Sequence, residues 1–507
     1  MELWTKSISH TVFRHTKNEE NDIGRIVLHS ARNASVAAQI LLRDVSRAFH
    51  VDGCRVSGLP DGVTAEVCAQ GYEIYNDGLP YPDKLLPRVE VDVLPNATQG
   101  FVVTFRVGAD APVGVYTVYV HLPLTQENGN KAEPSAMLIL HVHAATLPEP
   151  KDSAFGHEYF FDIHASDEKL ISYAKAMKAL RVNSLYLDAI PLLCRGGSKM
   201  TGENTWAFDY SALDAFVKLF LEHGSFCYIT LVNIVTPVTG NWMTYIDENG
   251  RPAGVELKED EKPAIAEAFA RAYYGGMAEH FAEMGWRDML RIHLEDEPHT
   301  EGSWLWARAI CHEVAPGVPC TEPIDTKGMG RTLGGACDIP VPRLEVYDHD
   351  REYYTKVTED GGKVWCYSCC YPIEHWWLNK FIDLPTRYAR MIKWACYAQG
   401  ITGFLHWGFN FWSGESAYGL NPNVRFKGDG FIVYPADDGV LMSGRGLSTT
   451  VGIEEWELLS MLGKKDAAAA KALARRVART FRDFTDDPDV LDQTRAELFA
   501  LIDALYG

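Results

Sequence analysis

The chain has 507 residues, enough for two to four ordinary domains, and its 47% hydrophobic composition leaves ample side chains for buried cores. Its formal net charge of −20 argues against binding to nucleic acid or to anionic membrane surfaces, because both require basic patches. Length and charge together favour an enzyme that acts on a neutral substrate.

From residue 1 to 145 the chain alternates hydrophobic and polar residues in short runs separated by Gly, Pro, Asn and Asp, which predicts an antiparallel β-sandwich. Residues 146–153 are polar and flanked by proline, and we interpret them as a linker. The tyrosines of Val115–Tyr119 could line a sugar groove, but a place in the core is the more common role for such residues. The clearest predicted strands are Arg25–His29, Gln39–Arg43, Gly100–Val107, Val115–His121 and Ala136–Val142.

Residues 154–450 alternate strands with helices, and eight such units in this length predict a (β/α)₈ barrel of the TIM type. Residues 451–507 are helical and are expected to pack on the barrel. The predicted fold class is therefore multidomain α+β, with an N-terminal sandwich, a barrel and C-terminal helices. The predicted barrel strands are Phe155–Phe161, Val182–Leu187, Phe226–Asn233, Met289–Glu295, Val318–Glu322, Asp338–Val341, Lys363–Tyr367 and Thr402–Trp407.

The stretch Arg291–His299 joins the fourth predicted strand to three consecutive acids, Glu295, Asp296 and Glu297, and then to Pro298. Ligands bind at the carboxyl ends of parallel strands, so these acids stand where a barrel keeps its chemistry. In a regular strand Asp296 points away from Glu297, so the two share a pocket only if the chain bends there. The alternative is that the acids simply open the next helix, where they suit the N-terminal dipole.

Two further strand ends are rich in aromatic residues, which favours a carbohydrate site. A sugar ring offers a C–H face that stacks on aromatics and hydroxyls that need polar partners. The candidate substrate-binding residues are Trp365, Tyr367, His406, Trp407, Asn410, Trp412 and Glu295.

No metal, cofactor or esterase chemistry is expected for this protein. His293, Glu295 and His299 might suggest a metal, but the His-Glu-x-x-His pattern is missing, since His312-Glu313 continues Val-Ala-Pro. The chain also has no Gly-x-Ser-x-Gly elbow.

The eleven cysteines do not resemble a disulfide framework, because their number is odd and their spacing uneven. Free thiols in a reducing compartment are the simpler account. The first residues lack a basic region followed by an apolar one, and the chain has no long apolar run. We therefore expect a cytoplasmic protein without a membrane span, although a signal peptide already removed would leave the same sequence.

Several stretches, in this order, resemble a known family. They are Ala31–Ala34, Gln39–Leu42, Tyr81–Pro87, Ala111–Tyr116, Asp296–Pro298, Val364–Tyr367, Gly403–Trp407 and Phe431–Pro435. The sequence is similar to the group defined by domain of unknown function 4091, whose characterised members form glycoside hydrolase family 123. The resemblance covers nearly the whole chain. It implies a β-sandwich fused to a catalytic barrel, β-N-acetylgalactosaminidase activity with substrate-assisted retention, and a match of Asp296 and Glu297 to the family's adjacent Asp-Glu pair.

The chemistry of adjacent acids supports that implication. Two-carboxylate glycosidases hold their groups ~5–5.5 Å or ~6.5–9.5 Å apart across the ring, which neighbours in sequence would not normally do. A 2-acetamido sugar avoids the problem because its own carbonyl oxygen attacks the anomeric carbon. Glu297 would then be the general acid and base, and Asp296 would hold the acetamido N–H. Tyr367 would donate to the acetamido oxygen, with three pocket walls, Trp365, Trp407 and Trp412.

Two alternatives stay open at this point. One is a glycosidase for non-acetylated sugars with a separate nucleophile, such as Glu295 or Asp188. The other is a non-catalytic sugar-binding protein that keeps the fold. The expected partner is an amino-sugar glycoside, and the sequence predicts no oligomeric state.

Overall fold

The structure is a computed structural model that describes residues 1–18, 22–74, 77–236, 242–258, 262–412 and 428–506. The chain divides into two compact units. The first comprises Met1–Glu149, Ile373–Gln399 and Asn410–Gly507, and the second comprises Pro150–Pro372 and Gly400–Phe409. The first unit is therefore built from three separate stretches of sequence, and the boundary expected at residue 450 does not coincide with either unit.

The first unit begins with the alternating segment, which forms thirteen strands in the described residues. They are β1 (Glu2–Ser7), β2 (Arg25–Arg32), β3 (Ala34–Arg43), β4 (Phe49–Val51), β5 (Arg55–Ser57), β6 (Val63–Ile74), β7 (Pro80–Leu86), β8 (Val91–Val93), β9 (Thr98–Val107), β10 (Gly114–His121), β11 (Leu124–Gln126), β12 (Lys131–Ala132) and β13 (Ser135–Thr146).

These strands form three sheets, in the orders β1-β3-β9-β6-β7, β2-β13-β10-β5 and β12-β11-β4-β8. All pairs are antiparallel except β2 with β13, which run parallel, so the predicted all-antiparallel sandwich has one exception. All ten residues of β3 are buried because both of its faces are covered. Ile40 and Leu42 enter the main sandwich core, while Ala37 belongs to a second apolar cluster with Leu447.

The two tyrosines of β10 have different surroundings. Tyr116 packs against the sandwich core, as expected, but Tyr119 is 41% exposed. Residues three apart in a strand point to opposite faces, so the expectation that both tyrosines are core residues is wrong for Tyr119.

The second unit alternates strands and helices. Its strands are β14 (Gly156–Tyr159), β15 (Ser184–Leu187), β16 (Lys199–Gly202), β17 (Thr205–Ala207), β18 (Tyr228–Leu231), β19 (Val235–Thr236), β20 (Trp242–Ile246), β21 (Pro252–Glu256), β22 (Leu290–Ile292), β23 (Thr321–Ile324), β24 (Ile339–Pro342), β25 (Cys366–Ser368) and β26 (Gly403–His406). Its helices are α1 (Asp167–Ala179), α2 (Ala189–Gly196), α3 (Ser211–His223), α4 (Ala264–Glu283), α5 (Glu301–Val314), α6 (Met329–Leu333), α7 (Leu344–His349) and α8 (Arg351–Glu359), with short 3₁₀ turns at Pro150–Asp152, Arg287–Met289 and Gly334–Ala336.

The eight strands expected for a barrel are all present and all parallel to their neighbours. Six form one sheet in the order β22-β18-β15-β14-β26-β25, and β23 pairs with β24 in another. Single bridges, Ile292 with Cys320 and Arg343 with Tyr367, connect residues near the ends of the two sheets. Over the described ranges the second unit therefore has two parallel sheets rather than one continuous ladder of eight strands.

The rest of the first unit is mostly helical, with α9 (Arg387–Gln399), α10 (Gly444–Gly463), α11 (Ala467–Val477) and α12 (Pro488–Tyr506), and a hairpin of β27 (Tyr434–Ala436) and β28 (Gly439–Leu441). Helix α12 packs on β13, where the ring of Phe499 stacks on His143 at 4.4 Å between centroids. The C-terminal helices were expected to pack on the barrel, whereas they belong to the same unit as the sandwich because α12 buries its apolar side there. None of the helices in the described residues is both long and apolar enough to span a membrane.

Candidate active site at the end of strand β22

The chain bends sharply between β22 and α5. Glu297 has a φ of 49°, in the left-handed region, which costs a residue with a Cβ roughly 1–2 kcal/mol. This is the bend that allows Asp296 and Glu297 to share a site. Helix α5 begins only at Glu301, so the two acids lie outside its first turn and do not serve as helix-opening residues.

Glu297 is half-buried and accepts a hydrogen bond from the hydroxyl of Tyr367. Burial raises the pKa of its carboxyl, and although the Tyr367 hydrogen bond opposes this, the charges of Asp325 and Asp296 reinforce it. Arg343 also lowers the pKa of Glu297, and its effect is the smallest of these. Its Nη1 lies 3.8 Å from Asp325 Oδ2. A carboxyl whose pKa is raised in this way suits a group that must carry a proton near neutral pH.

Asp296 is more open, with 47% of its side chain exposed. Its Oδ1 lies 3.7 Å from Nε2 of His293, a ring that is 1% exposed and whose Nδ1 hydrogen-bonds the hydroxyl of Tyr186. Burial alone would lower the pKa of His293, but the carboxylate of Glu322, 2.9 Å from Nε2, outweighs it and the pKa is raised. Asp296 therefore faces solvent on one side and a ring that favours the charged imidazolium on the other.

Glu322 stabilises this arrangement from the interior of the second unit. It is fully buried, and its Oε2 accepts hydrogen bonds from the backbone N–H of Leu294 at 3.2 Å and from Nε1 of Trp304 at 2.6 Å. Sequence reasoning did not select Glu322, His293 or Tyr186 as site residues. A usable signal was present, since Glu322 is a charged residue that ends the predicted fifth strand.

Glu295 does not face an open pocket. It is 1% exposed, its Oε2 accepts a hydrogen bond from Ser303 Oγ at 2.7 Å, and burial raises its pKa to about 7. The predicted sugar contact by Glu295 therefore lacks a free surface, and the residue ties the strand end to α5 instead.

Trp365 was predicted as a pocket wall, but its ring is 2% exposed. It lies over Gly156 and Gly403, and a Cβ added at Gly156 would stand 1.9 Å from the indole. The guanidinium of Arg291 lies 4.7 Å from the ring centroid. The indole packs between glycines and a cation in the interior, so we remove Trp365 from the substrate-binding set.

His406 ends β26 and Trp407 follows it, and the two side chains have different environments. His406 is 1% exposed, and because a backbone carbonyl only accepts, its Nδ1 donates to the oxygen of Ser368 at 2.7 Å. Trp407 is 36% exposed.

The last two predicted residues, Asn410 and Trp412, belong to the first unit. Asn410 forms a bridge with Phe431, and Trp412 Nε1 donates to the carbonyl of Val433 at 2.9 Å. The site in the second unit thus brings together Asp296, Glu297 and Tyr367 among the predicted residues.

Comparisons with known proteins identify the family of the chain. The family model described as "Glycoside hydrolase 123, catalytic domain" matches residues 194–462, which is more than half of the chain and contains both acids. The match defines the protein as a glycoside hydrolase, an enzyme class that acts on carbohydrate. The chain belongs to glycoside hydrolase family 123, which confirms the resemblance seen in the sequence.

Solved structures show the same fold. A family 123 glycoside hydrolase from Clostridium perfringens, described in connection with glycolipid glycan hydrolysis, matches with a TM-score of 0.76 at 13% identity and covers 99% of this chain and 97% of its own. A family 5 glycoside hydrolase from Bacteroides vulgatus is much less similar, with a TM-score of 0.31 at 11% identity over 50% of this chain and 58% of its own. A search of curated proteins gave no match.

Proposed function

We propose that the protein is a retaining exo-β-N-acetylhexosaminidase, most specifically a β-N-acetylgalactosaminidase, that uses substrate-assisted catalysis. The observation that carries the proposal is the bend at Glu297. The bend holds two consecutive carboxyls in one site. The carboxyl of Glu297 has a raised pKa, and that of Asp296 is open to solvent and lies beside His293.

In the first step the acetamido carbonyl oxygen attacks the anomeric carbon while the bond to the leaving oxygen breaks. Glu297 gives its proton to that oxygen, which leaves as an alcohol, and the sugar becomes an oxazolinium ion. Asp296 accepts the acetamido N–H hydrogen bond and offsets the positive charge that develops. The Glu297 carboxylate then takes a proton from water, whose oxygen attacks the anomeric carbon and opens the ring with net retention.

We assign Tyr367 a positioning role. Its hydroxyl donates to Glu297 Oε1, so in this arrangement its proton is directed at the acid rather than at the acetamido oxygen predicted from the sequence. The contact orients the carboxyl and stabilises its charged form, which is the form that activates water in the second step.

We also propose that the eight parallel strands of the second unit close into a (β/α)₈ barrel. The two single bridges support this, because they join β22 to the approach of β23 and the end of β24 to β25, the two breaks between the six-stranded and two-stranded sheets.

A glycosidase for non-acetylated sugars would need a further carboxylate as nucleophile. Glu295 is 1% exposed, and burial raises the pKa of Asp188 at the N-cap of α2, which disfavours the charged form that a nucleophile needs. Neither residue makes a contact that favours this second function. The substrate test that follows distinguishes it from the proposed one.

The test compares aryl N-acetyl-β-galactosaminide and N-acetyl-β-glucosaminide with the matching aryl glycosides that lack the acetamido group. Cleavage of the acetamido substrates alone, with inhibition by a thiazoline mimic of the cyclic intermediate, is expected. Cleavage of only the non-acetylated substrates would refute substrate assistance. If no substrate is cleaved while the Glu297→Gln protein binds N-acetylgalactosamine, the protein is a binding member of the family.

The matched control is Glu301→Gln. Glu301 is an exposed carboxylate four residues along the chain, so the change removes the same charge without touching the proposed acid. We expect wild-type rates for it.

A further inference from the structure

Three histidines come together in the first unit, away from the acids discussed above. Among the described residues, His29, His141 and His143 form one group in which a ligand nitrogen from each ring lies within 4.8 Å of the others. His29 is on β2 and the other two are on β13.

The strand register explains why the three rings meet. In the parallel pair, His29 lies directly opposite His141, and His143 follows two residues later on the same face. The intervening residues Leu28, Leu140 and Val142 point into the sandwich core. The imidazoles therefore occupy the other face of the sheet, where α12 covers them.

The hydrogen bonds around His143 set its tautomer. Its Nδ1 lies 2.7 Å from Asp503 Oδ2, and because a carboxylate accepts, this nitrogen carries the proton. Its Nε2 then keeps a lone pair and faces Nδ1 of His29 at 2.9 Å. A carboxylate that holds the far nitrogen of a metal-binding histidine is the usual outer partner of such ligands.

We propose that His29, His141 and His143 bind a divalent transition-metal ion of the Zn²⁺ class, with Asp503 as the supporting carboxylate. The ion would connect the β2–β13 pair to α12. This inference does not depend on the proposed glycosidase reaction, because all four residues lie in the first unit.

The geometry needs little adjustment. Two imidazole nitrogens bound to tetrahedral Zn²⁺ at ~2.0–2.1 Å stand about 3.3 Å apart, which is a few tenths of an ångström more than the distance between His29 and His143. A shift of the His29 proton from Nδ1 to Nε2 frees the facing lone pair without net release of a proton. Water completes the fourth position.

The charges nearby permit a cation. Arg495 is the cation on α12 that faces the group, and its Nε is paired with Glu455 at 2.9 Å. Asp503 contributes the opposing negative charge.

The experiment titrates the chelator-treated full-length protein with Zn²⁺ alone, followed by calorimetry and thermal unfolding. Cys54, an exposed thiol, is replaced by Ser in every sample so that it does not compete. One saturable equivalent and a higher unfolding temperature are expected. His29→Gln and His141→Gln should each weaken binding at least tenfold, and Asp503→Asn by ~10–100-fold.

The matched control is His121→Gln. His121 lies on β10, the strand next to β13, and hydrogen-bonds the hydroxyls of Ser57 and Ser135 outside the group. It should keep wild-type affinity. An equal loss in the control, or no saturable binding at micromolar Zn²⁺, would overturn the proposal and leave a hydrogen-bonded structural cluster.

Should a variant fail to fold, X-ray absorption on the Zn²⁺-loaded protein carrying only Cys54→Ser decides the question. Three imidazole nitrogens at ~2.0–2.1 Å support the site. A shell dominated by sulfur refutes it.

Discussion

Two glutamates, one in each unit, show how the same side chain is held in different surroundings, one in a network of ion pairs and one at the proposed catalytic position. Glu455 of α10 is fully buried and is held by Arg390 Nε at 2.8 Å, Trp394 Nε1 at 2.7 Å and Arg495 Nε at 2.9 Å. Glu297 is half-buried, has one hydroxyl donor and sits in a left-handed backbone.

The two carboxyls differ in charge compensation as well as in burial, and burial is the largest cause of the raised pKa of Glu297. Two guanidinium groups and an indole N–H satisfy Glu455, so its carboxylate fixes the positions of α9, α10 and α12. At Glu297 the nearby carboxylates of Asp325 and Asp296 work against ionisation, and the carboxyl is left able to exchange a proton. Incomplete compensation of a buried carboxyl at a strand end therefore supports the proposed role of Glu297 as the acid.

The largest expected effect is on catalysis. Glu297→Gln removes the proton donor, so kcat for an acetamido substrate with a poor leaving group should fall by ~10²–10⁴. Stability in urea should stay level or rise, because a poorly compensated buried charge is gone. A kcat within threefold of wild type would refute the acid role.

The same substitution at the other glutamate should do the opposite. Glu455→Gln removes the carboxylate paired with Arg495 and leaves Arg390 with Asp492 as its remaining partner, which should lower the free energy of unfolding by about 3–5 kcal/mol. Denaturant titration measures this loss, and kcat per folded molecule should remain within about threefold of wild type. An unchanged denaturation midpoint would show that the Glu455 network does not stabilise the fold, and would refute the contrast with Glu297.

Removing the Tyr367 hydroxyl that donates to Glu297 further tests the contrast between Glu297 and Glu455. The Tyr367 hydroxyl favours the charged carboxylate, so Tyr367→Phe should raise the pKa of Glu297 further. The acid form is needed for catalysis and is lost as pH rises through this pKa, so the basic limb of the kcat/KM profile should move to higher pH. A limb that stays in place, or moves to lower pH, would contradict the positioning role. Tyr371→Phe, which changes an exposed tyrosine in the same segment, serves as the control.

The smallest effect is expected at the buried indole. Trp365→Phe should leave KM within about twofold and lower stability by ~1–3 kcal/mol, because the change opens a space in the interior. Trp407→Ala should raise KM by about three- to tenfold if its exposed face stacks on the sugar. A larger KM effect at Trp365 than at Trp407 would reverse our assignment.

Local periodicity predicted much of the fold. All eight parallel strands appear near their predicted places. The strands are shorter than expected: β22 covers only Leu290–Ile292, and beyond it Glu295 forms a single parallel bridge with Val235. Strand closure and the parallel β2–β13 pair depend on distant pairing, which a local pattern does not contain.

The site was predicted less evenly. The need for a bend at Asp296–Glu297 followed from the alternation of side chains, and the φ of Glu297 shows it. Composition near strand ends selected Trp365 as well as Trp407, because a sequence does not reveal that two glycines, Gly156 and Gly403, make room for one indole in the interior. Glu322 and His293 were not selected because their roles arise only when separate strands are neighbours.

The discontinuous first unit has a consequence for biosynthesis. Domains usually fold as they emerge from the ribosome, at ~5–20 residues per second. Here β13 receives its covering helix from residues 488–506, after the whole second unit has been made. The nascent sandwich must therefore wait tens of seconds with an uncovered sheet face, and the second unit can complete its fold first. Chaperone dependence should accordingly be concentrated in the earliest part of the polypeptide.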